Sequence, residues 1–162
     1  MSKETMDSKE ISYNGGLITF SVPQDWIEEY DQQVGGSFYE DSPTSGTFRL
    51  HVVTMRSPAP VTKSEAVNVL QSVGEPDDPI STLSNGTAYK TFSEKAVDSG
   101  NDITIYYWSL AQIIEPNHAR IANFSYTVLS SQVGTTQYQE EIDYLLNSIR
   151  NARFKPELEN GI

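Results

Sequence analysis

Apolar and polar residues alternate with a period of two in the first third of the chain, which is typical of strands that bury one face. Residues 11–13 and 17–22 flank an Asn-Gly-Gly turn, and Asn-Gly tolerates the positive φ of a tight hairpin. A second hairpin is predicted over 36–41 and 47–55, joined by a turn-rich linker. The core face of the first hairpin is predicted to consist of Ile18, Phe20 and Val22.

Three longer strands are predicted over 87–97, 102–114 and 119–129. Short turns separate them, and short connections favour antiparallel neighbours, so the pattern predicts a meander. The strand over 102–114 is apolar on both faces, which indicates a central strand that is covered on both sides.

Two helices are predicted from apolar residues spaced three and four apart. The first has Thr62 as N-cap and Glu65 as its capping-box partner, and the second has Thr136 and Gln139 in these roles. The apolar stripe of the first helix is Ala66, Leu70 and Val73. The stripe of the second helix is Tyr138, Ile142, Leu145 and Ile149.

This order of elements predicts an α+β fold, in which helices on opposite faces make an α/β/α sandwich around a mostly antiparallel sheet of about six to seven strands. We expect a polar N-terminal tail over 1–10, a single domain over 11–154 and a polar C-terminal tail over 155–162. Trp26 is predicted to be buried and to anchor the segment after the first hairpin.

The chain of 162 residues is 37% hydrophobic, which is enough for a core, and it has no cysteine, which excludes disulfides and thiolate metal sites. The net charge of −11 disfavours nucleic acid and anionic membrane surfaces as partners. No stretch approaches the roughly 20 apolar residues of a membrane span, and no secretory signal is visible. The sequence therefore predicts a soluble, cytoplasmic protein, with an exported form whose signal has been removed as the alternative.

Most of the charge imbalance is N-terminal, because residues 1–41 hold nine acidic and two basic residues. The general interpretation is a solvated face that aids solubility. The more specific hypothesis is a patch that docks a basic partner, formed by Asp25, Glu28, Glu29 and Asp31.

Motifs for catalysis are missing from the sequence. It contains no glycine-rich phosphate loop and no Gly-x-Ser-x-Gly elbow. His51 and His118 are too far apart in sequence to form a typical zinc motif, and each is interpreted as structural. The aromatic run over 106–108 is interpreted as core packing, with an aromatic groove as the alternative. We therefore predict no catalytic residue, no metal ligand and no cofactor.

A strand ending in Phe-Ser-Val-Pro and followed at once by Gln-Asp-Trp, residues 20–26, resembles the opening of the PsbP-like and Mog-like superfamily. The order of hairpins, helix, meander and helix extends this resemblance to about residues 11–154. In character the chain is most similar to the bacterial DcrB-like proteins. The resemblance implies an accessory protein that binds other proteins, and it assigns no binding residues.

The sequence thus favours a non-catalytic accessory protein that binds another protein, as an adaptor, a chaperone or an immunity-type partner. The alternative is a small-ligand-binding protein or weak hydrolase with a pocket between the sheet and a helix. Its motivation is the number of aromatic residues and polar residues such as His51 and Asn123.

Overall fold

The computed structural model describes residues 7–33, 35–42, 46–71, 78–83 and 86–155, which form two antiparallel sheets and two α-helices. The small sheet contains β1 (Ser8–Tyr13), β2 (Ile18–Pro23) and β10 (Arg153–Phe154). The large sheet contains β3 (Ile27–Asp31), β4 (Gly35–Tyr39), β5 (Thr47–Arg56), β6 (Ile80–Thr82), β7 (Ala88–Asp98), β8 (Asn101–Ile114) and β9 (His118–Leu129). The helices are α1 (Ala66–Leu70) and α2 (Thr136–Arg150).

The large sheet has the strand order β3-β4-β5-β9-β8-β7-β6, and all its neighbours are antiparallel. The predicted meander is confirmed as β7, β8 and β9. Within the seven-stranded sheet β8 is an interior strand, and the strand at the middle is β9. This order arises because β5, the second arm of the second hairpin, pairs with β9 from Thr47 to Arg56. The predicted α+β architecture is confirmed.

The first hairpin lies outside the large sheet, so the expectation of a single sheet was wrong. β2 pairs with β1 on one side and with β10 on the other. β10 reaches this position because α2 returns the chain to β2, where the Lys155 N–H donates to the Leu17 carbonyl oxygen at 3.0 Å. β1 begins at Ser8, within the segment that was expected to be a tail.

The main core lies between one face of the large sheet and a layer made of the small sheet and α2. The predicted face of β2 is buried, and Phe20 packs edge-on against Phe38 and Phe124 with centroid distances of 5.5 and 5.3 Å. From α2, Leu145 and Ile149 complete this core. Aromatic rings therefore fill most of the space between the two layers.

A second, smaller core lies on the opposite face of the large sheet, under α1. Ala66 and Leu70 pack there against Ala111, Ile113 and Ile121, while Trp108 and Leu110 of the same strand belong to the main core. β8 is therefore covered on both faces, and the predicted placement of the two helices on opposite faces is confirmed. Val73, predicted in the first stripe, lies outside the described residues.

Threonines cap α2 and the short 3-10 turn, Lys63–Glu65, that leads into α1. Thr62 and Glu65 form the predicted capping box ahead of α1. At α2 the cap is Thr135, whose side chain accepts the Tyr138 N–H at 3.2 Å, so the prediction of Thr136 was one residue late. Neither described helix is long and apolar enough to cross a bilayer.

A candidate protein-binding edge and its clefts

The segment that carries the predicted acidic patch is β3, and all five of its residues are exposed. A turn closed by the Trp26 N–H and the Pro23 carbonyl oxygen, at 3.1 Å, leads the chain into the strand. Trp26 is 4% exposed, which confirms its predicted burial and fixes the start of the strand. The sequence pattern missed β3 because acidic residues are uncommon in strands. We call Ile27–Asp31 the β3 edge.

The β3 edge ends the large sheet on one side. Within the described part of the chain, β3 pairs with β4 and with no other strand. An edge strand presents backbone N–H and C=O groups along its outer side, where another strand can pair. Ile27 and Tyr30 are 37% and 55% exposed, so the edge also presents two large apolar side chains.

The two glutamates of the β3 edge lie on opposite faces of the sheet, because neighbouring residues of a strand alternate. Glu28 lies on the face near β1, where Tyr30 donates to its Oε1 at 2.7 Å. Glu29 lies on the other face, where Tyr39 donates to its Oε2 at 2.7 Å. A tyrosine hydroxyl therefore positions each carboxylate.

Lys9 of β1 compensates the charge of Glu28. Its Nζ lies 2.7 Å from Glu28 Oε2 and also donates to the Trp26 carbonyl oxygen at 2.8 Å. The hydrogen bond from Lys9, followed by that from Tyr30, lowers the pKa of Glu28. Partial burial and the bond to Glu28 raise the pKa of Tyr30. Glu28 stays ionised near neutral pH, but its charge is already paired.

The remaining two residues of the predicted patch lie apart. Asp31 ends β3, and its Oδ1 accepts the Gln33 N–H at 2.7 Å. Asp25 precedes the strand and lines a different cleft of about 220 Å³, together with Glu40 and Glu141. The structure thus brings Glu28, Glu29 and Asp31 together on the β3 edge and separates Asp25 from them. Their role in binding stays a prediction.

The cleft beside Asp25 has a structural role. Glu141 is buried, its Oε1 accepts from the hydroxyl of Tyr126, and its Oε2 accepts from Gln137 at 3.2 Å. Burial, the charge of Glu141 and then the charge of Asp25 raise the pKa of Glu40. Because internal partners engage both oxygens of Glu141, this carboxylate holds α2 against the large sheet.

A larger cleft, of about 460 Å³, lies between the turn of the first hairpin and the end of β3. We call it the tyrosine cleft, and its lining residues are Ser12, Tyr13, Asn14, Tyr30, Asp31 and Gln32. The rings of Tyr13 and Tyr30 are 6.3 Å apart between centroids and inclined by 38°. Sequence reasoning missed this cleft, because Tyr13 and Tyr30 belong to different sheets and no local pattern connects them.

The cleft that suits the alternative prediction lies beside α1. It measures about 250 Å³, and Val61, Val69, Ile113 and His118 are among its lining residues. His51 and Asn123 lie elsewhere: they are cross-strand partners on the large sheet, where Asn123 Oδ1 accepts from Ser109 at 2.8 Å. Ligand binding at this cleft stays a prediction. Within the described ranges, no three His, Asp or Glu side chains group closely enough to hold a metal ion.

The aromatic run over 106–108 divides between the two faces of β8. Tyr106 and Trp108 lie on one face with centroids 6.3 Å apart, and Tyr107 stacks on Phe92 on the other face at 4.7 Å. Trp108 is 4% exposed and belongs to the main core, as expected for packing.

Comparison with solved structures identifies the architecture. A structure of the protein Mog1, in a point-mutant form, matches with a TM-score of 0.52 and 11% identity, over 92% of this chain and 96% of that one. The chain has the PsbP/Mog-like fold. LpqN of Mycobacterium tuberculosis, described as involved in cell envelope biogenesis, shares this fold with a TM-score of 0.62 and 12% identity, over 93% of this chain and 91% of LpqN.

A protein from Bacteroides thetaiotaomicron VPI-5482 also matches, with a TM-score of 0.64 and 19% identity. The match covers 97% of this chain and 51% of that one, so this chain spans about half the length of the Bacteroides protein. No protein-family model matches the sequence, and no curated protein matches it significantly. At these identities the PsbP/Mog-like likeness concerns the fold, and the DcrB-like character remains a prediction.

Proposed function

We propose that this protein is a non-catalytic accessory protein that binds another protein through the β3 edge. The observation that carries the proposal is a terminal strand of the large sheet whose five residues are all exposed. Exposed edges invite pairing with another chain, and proteins commonly protect them unless they are used. Addition of a strand to such an edge is a recurring mode of peptide recognition.

The charge of the edge supports a basic partner. Lys9 pairs with Glu28, whereas Glu29, on the opposite face, accepts a hydrogen bond from the neutral hydroxyl of Tyr39. A hydroxyl does not neutralise a carboxylate, so Glu29 gives the edge a negative potential that steers positively charged partners toward it. Whether the partner makes this protein an adaptor, a chaperone or an immunity-type protein follows from the identity of the partner. The cytoplasmic location predicted from the sequence stays a prediction.

The test begins with capture of a partner from native lysate by the wild-type protein, followed by measurement of its association with variants. Ile27→Lys places a charge on the β3 edge and should weaken binding at least tenfold, because edge lysines oppose strand pairing. Val97→Lys is the matched control: Val97 is 69% exposed in β7, at the far side of the sheet from β3. Equal binding by the two variants would contradict the use of the β3 edge.

The same partner tests the contribution of charge. Glu29→Gln should slow association at low salt and have less effect as salt rises, because exposed charges are screened over about 8 Å at physiological ionic strength. Asp102→Asn removes an exposed charge from β8 and is the control. If both variants associate at the same rate, the acidic segment serves solubility rather than docking.

A further inference from the structure

Tyr30 is the outermost ring of an aromatic cluster that extends from the main core to the β3 edge. Its ring packs edge-on against Phe38, with centroids 5.9 Å apart and planes inclined by 80°. Phe38 in turn packs edge-on against Phe20 at 5.5 Å. Phe20 and Phe38 are buried, whereas Tyr30 is 55% exposed. The cluster therefore reaches the surface with a ring that is incompletely covered.

A glycine on the neighbouring strand explains the position of this ring. The cross-strand partner of Tyr30 in β4 is Gly36, which has no side chain. A Cβ atom at position 36 would lie 3.4 Å from Tyr30 Cε1 and 3.0 Å from Phe38 Cζ, so a larger residue there would crowd both rings. The glycine thus lets Tyr30 contact the core cluster, while Tyr30 also forms a wall of the tyrosine cleft.

The tyrosine cleft has the size and the chemistry to hold one aromatic side chain. Its volume of about 460 Å³ equals that of roughly fifteen water molecules in the liquid, which is enough for a phenyl or phenol ring. The rings of Tyr13 and Tyr30 both line it. Aromatic pairs with centroids about 4.5–7 Å apart are favourable beyond the area that they bury. A third ring can therefore pack against this pair without any ion pair.

A strand added to the β3 edge brings a side chain to the cleft. The side chains of such a strand alternate between the two faces of the sheet. Cross-strand neighbours on one face have Cβ atoms roughly 5 Å apart, and pairs of aromatic residues are among the stabilising combinations. The side chain opposite Tyr30 therefore lies on the face of Tyr30, beside the cleft.

A second copy of this chain is disfavoured as the source of the ring. Three of the five residues of β3 are acidic, so pairing with β3 of a second copy would bring like charges close together, which destabilises paired strands. The net charge of −11 opposes self-association more generally. The edge and its cleft therefore fit a segment of a different protein.

We propose that the tyrosine cleft receives an aromatic side chain from an extended partner segment that pairs with β3. This inference rests on the proposed function, since it requires a strand at the β3 edge. It adds the chemical class of the side chain that is recognised. The partner ring extends the cluster of Phe20, Phe38 and Tyr30, and Tyr13 supplies a second contact from the first hairpin.

The test uses seven-residue peptides with blocked ends that differ only in the central residue, with lysine at both ends and threonine at the other positions. The phenylalanine peptide should bind the full chain roughly tenfold more tightly than the alanine peptide, because burial of a phenyl ring is favourable. It should bind roughly threefold more tightly than a peptide with cyclohexylalanine, which has a similar shape without the aromatic electrons. A peptide with arginine at the centre should bind less tightly than the phenylalanine peptide.

Protein variants locate the binding site. Tyr13→Leu and Tyr30→Leu each remove one ring, so each should reduce the preference for phenylalanine over alanine to less than about threefold. Tyr30→Phe keeps the ring and should retain the preference, which separates loss of the ring from loss of the hydrogen bond to Glu28. Tyr39→Leu is the matched control, because Tyr39 lies on β4 and donates to Glu29 on the opposite face.

Three outcomes would overturn the inference: no binding of the phenylalanine peptide, equal binding of the phenylalanine and alanine peptides, or an equal loss of preference in Tyr30→Leu and Tyr39→Leu. The proposed function has its own readout. Binding of the phenylalanine and alanine peptides with equal affinity, together with loss of both in Ile27→Lys, would retain the β3 edge as a binding surface while rejecting aromatic recognition in the cleft.

Discussion

At the scale of single residues, Trp26 marks the boundary between the main core and the exposed β3 edge. Its ring is 4% exposed and belongs to the main core, while its neighbours Asp25 and Ile27 are exposed. The indole therefore anchors the chain at the point where it passes from the small sheet to the β3 edge. Glu28 and Glu29 then diverge to opposite faces, which divides the acidic segment into two differently partnered carboxylates.

Trp26→Ala should lower the free energy of unfolding by about 3–5 kcal/mol, because it leaves a cavity among buried aromatic rings. Urea denaturation followed by circular dichroism measures this loss. Ile27→Ala, one residue further and 37% exposed, is the control, and it should change stability far less. A loss of less than about 1 kcal/mol for Trp26→Ala would show that the indole does not anchor the segment.

At the scale of elements, the start of α2 shows that a residue pair with the capping-box spacing does not always contain the residue that caps the helix. Thr135 and Thr136 are adjacent, and the pair Thr136 and Gln139 matches the capping-box spacing. In the structure Thr135 has extended backbone angles and accepts the Tyr138 N–H, so the helix begins at Thr136. With the helix starting at Thr136, Tyr138, Leu145 and Ile149 lie in the main core. The burial of these three side chains favours this start more strongly than the small difference between two threonine caps.

Thr135→Ala should destabilise the protein by about 1 kcal/mol, since it removes the acceptor for an N–H group in the first turn of α2. Thr136→Ala should have little effect, because Thr136 is exposed and does not cap the helix. Thermal or urea unfolding of the two variants distinguishes the residues. The reverse ranking would place the cap at Thr136, as the sequence pattern indicated.

At the scale of the whole molecule, α2 and β10 close the layer that covers the large sheet. Ser148 donates to the Ser21 carbonyl oxygen at 2.7 Å, and Tyr144 donates to Ser21 Oγ at 3.1 Å, so α2 is bound to β2. On the other side, the buried pair of Tyr126 and Glu141 joins α2 to β9. The helix α2 therefore connects the small sheet to the large sheet, and the cooperativity of folding should depend on it.

The tyrosines in this layer predict a loss of stability at alkaline pH. Burial and the hydrogen bond to Glu141 raise the pKa of Tyr126, and burial and the bond to Tyr106 raise the pKa of Tyr138. The unfolded tyrosines ionise near their ordinary value of 10.0, so the folded state holds more protons above that pH. Stability should therefore be fully present below pH 10 and fall as pH rises further.

Unfolding free energies measured from pH 8 to 11 test this expectation, with tyrosinate absorbance as a second readout. Tyr126→Phe should reduce the slope above pH 10 and also lower stability at neutral pH, because it leaves Glu141 without one of its donors. Ionisation of Tyr126 in the folded protein near pH 10, with no loss of stability, would contradict the assignment.

Much of the fold was predictable from the sequence, because the deciding signals are local. Alternating apolar residues and short turns indicate the meander, and apolar residues three and four apart indicate α2. The pair of Thr62 and Glu65 indicates the capping box. Each of these signals lies within a short stretch of sequence. The second sheet was not predictable, because β10 is only two residues long and acquires its identity by pairing with β2. β3 was not predictable for a related reason: three of its five residues are acidic, and acidic residues are uncommon in strands. Pairing with β4 holds them extended.

The candidate site shows the same division. By itself the sequence determined that acidic residues cluster within residues 1–41, that Trp26 follows a strand, and that no catalytic motif is present. Only the tertiary structure decided which of these acids share a surface, because burial, edge position and ion pairing depend on segments far apart in the chain. Lys9 neutralises Glu28 across 19 residues, and Tyr13 meets Tyr30 across two sheets. The local sequence determines which charged and aromatic side chains a segment has, whereas long-range packing determines which of them are exposed.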